Sequence, residues 1–251
     1  MGTPTRLSYL KDNLITSSSM LSSDHTRAGY SLADLINGDP WATWRSDNVT
    51  GTKEILISFT ATQDITFLGL ANHNLSSSGS FTLDYGSTAA CSDGSVVLSM
   101  TPNNFGYFTD TPLSYKYFKL CMNESVSDGY IEIGELEMGR YTEVPYNPVI
   151  PIKMINEMEI QSIVTAGGQE WSYRKYHKKG WIMRWIEDND RDAYASLEQL
   201  WEAKGKDIPF FICPQPSTHP EDILYVRIKD FSFEVNLRDS RPGTIVFEEA
   251  K

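Results

Sequence analysis

Cysteine is scarce in this 251-residue chain: Cys91, Cys121 and Cys213 are an odd number at wide spacing. That excludes a disulfide framework and leaves no C-x-x-C pair for zinc or redox chemistry. Such usage fits folding in a reducing compartment. Positive charge is also short, with 22 Lys and Arg against 33 Asp and Glu and a formal net charge of -11. A surface that neutralises phosphates needs clustered bases, so no nucleic-acid partner is expected. The single basic cluster, Arg174-Lys175-Tyr176-His177-Lys178-Lys179, reads as a charged hairpin turn. No apolar run reaches the ~18 residues of a membrane span. The opening residues have no apolar h-region, and Arg6 stands where a myristoylation signal needs Ser or Thr, so neither secretion nor that lipid is expected.

Catalytic signatures are missing as well. There is no G-x-S-x-G, no H-E-x-x-H and no phosphate loop, and His177 and His219 lie in turn-like surroundings without a nucleophile pattern. Asp188-x-Asp190-x-Asp192 begins like a calcium loop. Ala193 replaces the required glycine and Gln199 the bidentate glutamate, which excludes that site. No metal site, cofactor or enzyme activity is expected. Sequons at Asn48, Asn74 and Asn123 are read as chance in a Ser/Thr-rich chain.

What is present is 40% apolar and 12% aromatic content, enough for packed cores. Glu54–Phe59 alternates at period two and Asp64–Leu70 is a similar run ending near the Asn72-His73-Asn74 turn, so both predict strands. Ser31–Ile36 predicts a single helical turn before the Asn37-Gly38-Asp39-Pro40 turn. Further strands are expected at Ser80–Tyr85, Ser95–Met100, Lys116–Met122 and Tyr130–Gly139, separated by Gly, Asn, Asp and Ser turns. This part is all-β, a sandwich or jelly roll. Pro145, Pro148 and Pro151 suit an extended linker, so the chain divides into 1–142, a linker 143–151, and 152–251.

The second part reads as strands at 156–165, 170–177, 180–186, 208–213, 223–235 and 243–249. Gly167-Gly168 makes a turn. One helix, about 188–204, is expected, capped by Asp188 or Asn189 and ended by Gly205. Tyr194, Leu197, Leu200 and Trp201 form its apolar face.

Two resemblances follow from these segments. Asn37–Arg45 with its Trp41-x-x-Trp44-Arg45 group, then Lys116–Met122 and Tyr130–Gly139, resemble a discoidin-type, galactose-binding-like jelly roll. The aromatic strand pair, the single helix ending in Gly205, the Pro209-Phe210-Phe211-Ile212 strand and the Leu70-Ala71-Asn72-His73-Asn74 phrase resemble distal tail and tail-tip proteins of tailed bacteriophages. This implies a mainly β chain, a galactose-binding-like jelly roll followed by a small β domain with one helix. It also implies a structural virion protein assembled in the bacterial cytoplasm. Its partners would be copies of itself in a trimeric or hexameric ring, the tail tube and hub proteins, and a host surface glycan. A carbohydrate-binding module proper is the alternative.

Candidate contacts come in two groups. Trp41, Trp44 and Arg45 read either as an aromatic and guanidinium platform for a ligand or, preferably, as a buried plug with Arg45 paired to a carboxylate. Asn72, His73 and Asn74 read either as sugar-hydroxyl ligands or, preferably, as a capped turn. Trp171, Trp181 and Trp185 are the candidate assembly surface.

Overall fold

The computed structural model describes residues 5–124, 128–185, 191–233 and 243–250. Its strands, in chain order, are β1 (Ser8–Leu10), β2 (Leu21–Ser22), β3 (Trp44–Arg45), β4 (Lys53–His73), β5 (Ser80–Gly86), β6 (Gly94–Leu98) and β7 (Asn103–Asn123). They continue with β8 (Glu132–Gly139), β9 (Tyr141–Glu143), β10 (Lys153–Val164), β11 (Glu170–Trp185), β12 (Phe210–Cys213), β13 (Leu224–Phe233) and β14 (Gly243–Glu249). Among the described residues there is one α-helix, α1, spanning Arg191–Lys204. The protein is mostly β with one α-helix, as expected.

The chain forms two compact units, 1–144 with 210–225 and 145–209 with 226–251. The first division falls between Val144 and Pro145. The second part is not one continuous piece, because residues 210–225 belong with the first unit. Phe210–Cys213 is buried throughout and pairs antiparallel with β1, a partnership between distant segments that no local pattern announces.

In unit 1, two strands of 21 residues each dominate. A straight strand of that length would reach about 70 Å, longer than a small domain, so both must bend. The register of β4 on β7 shifts between Ser58 and Gln63, where Thr60–Thr62 lies exposed or nearly so. Before this bend β4 alternates buried and half-buried, as a one-sided strand does. After it, Ile65–Ala71 is buried on both faces. The sheet order is β3-β8-β4-β7-β5-β6, with β2 beside the first half of β4. Folding over at the bend, it encloses a core that includes Ile55, Ile57, Phe59, Leu68, Leu70, Phe118, Leu120, Leu136 and Met138. Each such side chain contributes roughly 1.5–3 kcal/mol of hydrophobic stabilisation.

The second face of β4 is covered by a further layer, β12-β1-β9. The approach is close: a Cβ on Gly69 would stand 2.7 Å from the Phe211 ring, and one on Gly106 2.1 Å from Ile223 Cδ1. Phe67 contacts Phe211 at 5.6 Å between ring centroids. Glycine at these two positions is what lets the layer seat.

Unit 2 holds the sheet path β10-β11-β14-β13 and α1. Ala193, Leu197 and Leu200 are buried; Trp201 stacks on Phe231 at 5.3 Å and Tyr194 meets Phe233 edge-on. Gly205 ends the helix with φ +54° and donates to the Trp201 carbonyl. The predicted caps Asp188 and Asn189, and the Asp188–Asp190 part of the excluded calcium loop, lie outside the described residues. Arg174–Lys179, expected as a turn, instead runs as strand within β11 and stays paired with β10, the register shifting once where Glu159 faces Tyr176 and Ile160 faces Arg174. Acidic partners make this tolerable: Lys178 Nζ bonds Glu248 at 3.0 Å and the Lys179 amide donates to Glu249.

Candidate functional site

The loop end of unit 1 collects the candidate residues around the end of β4. The 3-10 helix Leu32–Ile36 delivers the chain there. Ser31 caps it and Asp34 returns a bond to the Ser31 amide, a capping box that holds it in place. The Asn37–Trp41 loop is then pinned at several points. Gly38 N–H donates to Glu135 Oε2 at 3.1 Å, Trp41 N–H to Asp39 Oδ1 at 3.1 Å, and Asn72 Nδ2 to the Pro40 carbonyl at 2.6 Å. Gly134 lies directly under Pro40, where a Cβ would come within 2.2 Å of the carbonyl oxygen. Asn72 reaches this loop from a bulge in β4 with φ +50°, a left-handed conformation that asparagine tolerates. So fixed, Trp41 still leaves 64% of its surface exposed.

Trp44 is the plug: it is fully buried, and its Nε1 donates to Thr26 Oγ1 at 3.0 Å. Arg45, next in sequence, lies between two aromatic rings, 4.7 Å from the Tyr30 centroid and 4.6 Å from that of Tyr130. It also pairs with Glu132 at 3.1 Å. Burial works against the charged guanidinium, and the Glu132 bond and charge outweigh it, so the Arg45 pKa is raised. Asn74 ties this cluster to β4, donating to the Tyr130 carbonyl and accepting from Glu132 N–H. Arg27, exposed, stacks over Tyr130 at 5.2 Å. Asn72 and Asn74, two residues apart, thus hold the Trp41 loop and the Arg45 cluster to one strand end.

His73 is not exposed to a ligand. It is 6% exposed, Nδ1 accepts from the Leu75 amide, and burial lowers its pKa to about 4. The ring is neutral with its proton on Nε2, which has no hydrogen-bond partner among the described residues. Glu135 is buried too; burial, then the charge of Glu137, pushes its pKa up to about 9. It stays protonated at neutral pH while it holds Gly38.

Sequence reading passed over a second feature of unit 1, a polar cleft of about 440 Å³ beside the β4 bend. It is lined by Lys11, Asp12, Gln63, Asp64 and Arg140 among others. Asp64 accepts from Ser114 and Arg140, which hold its carboxyl below the usual range. These residues come from three distant stretches with no shared motif, so no sequence signal marked them.

The tryptophans of unit 2 divide. Trp171 is 67% exposed, whereas Trp181 and Trp185 are buried in the unit, the latter donating from Nε1 to the Tyr146 carbonyl at 3.2 Å. The expected assembly surface therefore keeps only Trp171 of the three, because β14 flanks β11 from Gly180 to Trp185 and puts that end inside the sheet.

No family model and no curated protein matches the sequence. Among solved structures the chain is similar to CpGH89CBM32-6 produced by Clostridium perfringens, at 9% identity over 51% of this chain and 99% of that one, TM-score 0.40. It is also similar to the family 32 CBM from C. perfringens NanJ in complex with galactose, at 11% identity over 54% and 99%, TM-score 0.40. The lectin domain of lectinolysin complexed with Lewis B antigen matches at 15% identity over 48% and 91%, TM-score 0.40. These are carbohydrate-binding and lectin domains, and the phage-tail setting expected from the sequence has no support among them. What this chain binds rests on its own residues.

Proposed function

We propose that the chain is a non-catalytic binding protein whose first unit takes a carbohydrate at the Trp41 loop. The observation that carries this is an indole held exposed on a loop locked by Glu135, Asn72 and Asp39. A fixed aromatic face gives an apolar platform at little entropic cost, and the neighbouring Arg27 and Arg45 with Glu132 supply the few polar groups that orient a ligand. A glycan array on the full chain, followed by calorimetry with the best sugar, tests it. Trp41→Ala should weaken binding at least tenfold, about 1.4 kcal/mol, without changing the melting temperature. If no sugar binds, or if Arg140→Ala in the polar cleft abolishes binding and Trp41→Ala does not, the reading is wrong.

A second reading, a structural component assembling with copies of itself in a phage tail, is favoured by a separate observation. The outer half of the β10–β11 hairpin exposes large apolar side chains on both strands, among them Ile160, Ile163, Val164, Trp171 and Tyr173. Surfaces of that kind mark interaction sites. Mass measurement and negative-stain imaging of the purified chain test this reading, and a monomer at every concentration refutes it.

A further inference from the structure

The polar cleft beside the β4 bend is built from three stretches of unit 1, and each is fixed from behind. The residues after β1 are laid across the end of β8. Asn13 Oδ1 accepts from Met138 N–H at 3.1 Å and from Ile15 N–H at 3.0 Å, and Leu14 N–H donates to the Met138 carbonyl at 2.8 Å. β9 is tied to β4 where Tyr141 N–H donates to Thr66 Oγ1 at 3.1 Å. Asp64 closes the third side, accepting from Ser114 on β7 and from Arg140 between β8 and β9. The cleft is therefore preformed. Its volume of about 440 Å³ lies within the range of small-ligand sites, roughly 300–1,000 Å³.

The lining carries more polar groups than the fold uses. The side chains of Lys11, Asp12, Thr62, Gln63 and Thr142 have no hydrogen bond or ion pair among the described residues. Arg140 gives one nitrogen to Asp64 and keeps its other N–H donors. Free donors thus stand beside free acceptors. Leu14 is the one aliphatic residue of the lining, and no aromatic ring contributes to it.

Charge decides what fits. Two bases, Lys11 and Arg140, stand against two acids, Asp12 and Asp64. A ligand anion meets both acids, and a ligand cation meets both bases. Exposed ion pairs repay little of that, because water screens them. A hydroxyl donates and accepts at once and faces no like charge. The planar heads of Asp12, Gln63 and Arg140 each offer two polar atoms side by side, which suits a pair of neighbouring hydroxyls.

We propose that this cleft is a second ligand site of unit 1, taking the hydroxyl edge of an uncharged sugar residue. It does not rest on the Trp41 loop. Gln63 and Asn72 lie about 30 Å apart along β4 at the rise of an extended strand. With no ring to stack on, the cleft holds its ligand by hydrogen bonds alone.

Amide NMR of the full chain tests the proposal, with galactose, glucose, mannose and N-acetylglucosamine as probes and glucuronate and glycine as charged comparators. At least one neutral sugar should move the backbone amides of Thr62, Gln63 and Thr142 and the Gln63 side-chain amide, saturably. It should do so equally in the parent and in Trp41→Ala. Asp12→Asn with Gln63→Ala should weaken this binding at least tenfold. Neither residue has a side-chain partner to lose, so the melting temperature should match that of the parent; if it does not, Gln63→Ala alone is read.

Silence of these amides towards all four sugars overturns the proposal, as does a double variant that binds like the parent. Glucuronate or glycine moving the same amides as far as the neutral sugars also overturns it, because the cleft is then an ion site. Shifts confined to Gly38 and the Trp41 indole N–H overturn the cleft and leave the Trp41 reading standing. Shifts confined to the cleft support this proposal and overturn that reading.

Discussion

Replacing Glu135 by glutamine should stabilise unit 1 at neutral pH while leaving the Trp41 loop in place. The side chain is 2% exposed, and burial first, then the Glu137 charge, moves its pKa from 4.5 to about 9 against the pull of the Gly38 amide. With the folded pKa raised, the folded protein keeps a proton that the unfolded chain releases between those two values. Stability is then fully present below pH 4.5 and declines as pH rises towards 9. At 1.36 kcal/mol per pH unit, the loss at pH 7 is about 3 kcal/mol. Glutamine has nearly the same shape, carries no proton to lose, and offers an oxygen to the Gly38 N–H. Urea unfolding at pH 5, 7 and 8.5 should show the variant less than about 1 kcal/mol ahead of the parent at pH 5, about 3 ahead at pH 7, and further ahead at pH 8.5. A gap independent of pH, or a variant less stable than the parent at pH 7, refutes the account. Glu135→Ala is the contrast: it removes the bond from the Gly38 amide, at a cost of roughly 1–3 kcal/mol, and should loosen the loop that presents Trp41.

His73 should act with the opposite slope. Its folded pKa is depressed to about 4, so stability present above 6.5 is lost as pH falls towards 4, by about 3 kcal/mol; an NMR titration of its ring with a midpoint near 6.5 would contradict this. Trp185→Ala should cost about 3–5 kcal/mol in unfolding experiments, because it empties a buried site and orphans the Tyr146 carbonyl, whereas exposed Trp171→Ala should stay within about 0.5 kcal/mol. Equal effects of the two would refute the division between core and surface. Arg45→Met should lower stability by about 1–2 kcal/mol, since it removes two ring contacts and a partly exposed ion pair, and an unchanged melting temperature would count against the stack.

Much of the local structure was legible in the chain. The alternation of Glu54–Phe59 and Ser80–Tyr85 marks strands because a sheet with one wet face must repeat at two. Ser31 with Asp34 marks the short helix, Gly167-Gly168 the hairpin turn, and Tyr194–Trp201 the helix face, each through a bond or contact made within a few residues. Of the candidate site, the plug role of Trp44 and the pairing of Arg45 with a carboxylate were expected, and Glu132 is that carboxylate.

What depended on distant partners was not legible. Thr60–Thr62 looks like a break between two strands, and only pairing with β7 makes it a bend within one. Arg174–Lys179 looks like a turn, and only β10 on one side and the acids of β14 make it a strand. Phe210–Cys213 reads as part of the second domain, yet it pairs with β1 in unit 1. Trp171, Trp181 and Trp185 are chemically alike; pairing of Gly180–Trp185 with β14 puts Trp181 and Trp185 in the core, while Trp171 is exposed. By itself the sequence determined the periodicities, caps and turns, because those arise from neighbours along the backbone. The tertiary structure decided which layers meet, and with that which tryptophan is presented and which carboxyl keeps its proton, because burial is a property of segments brought together from far apart.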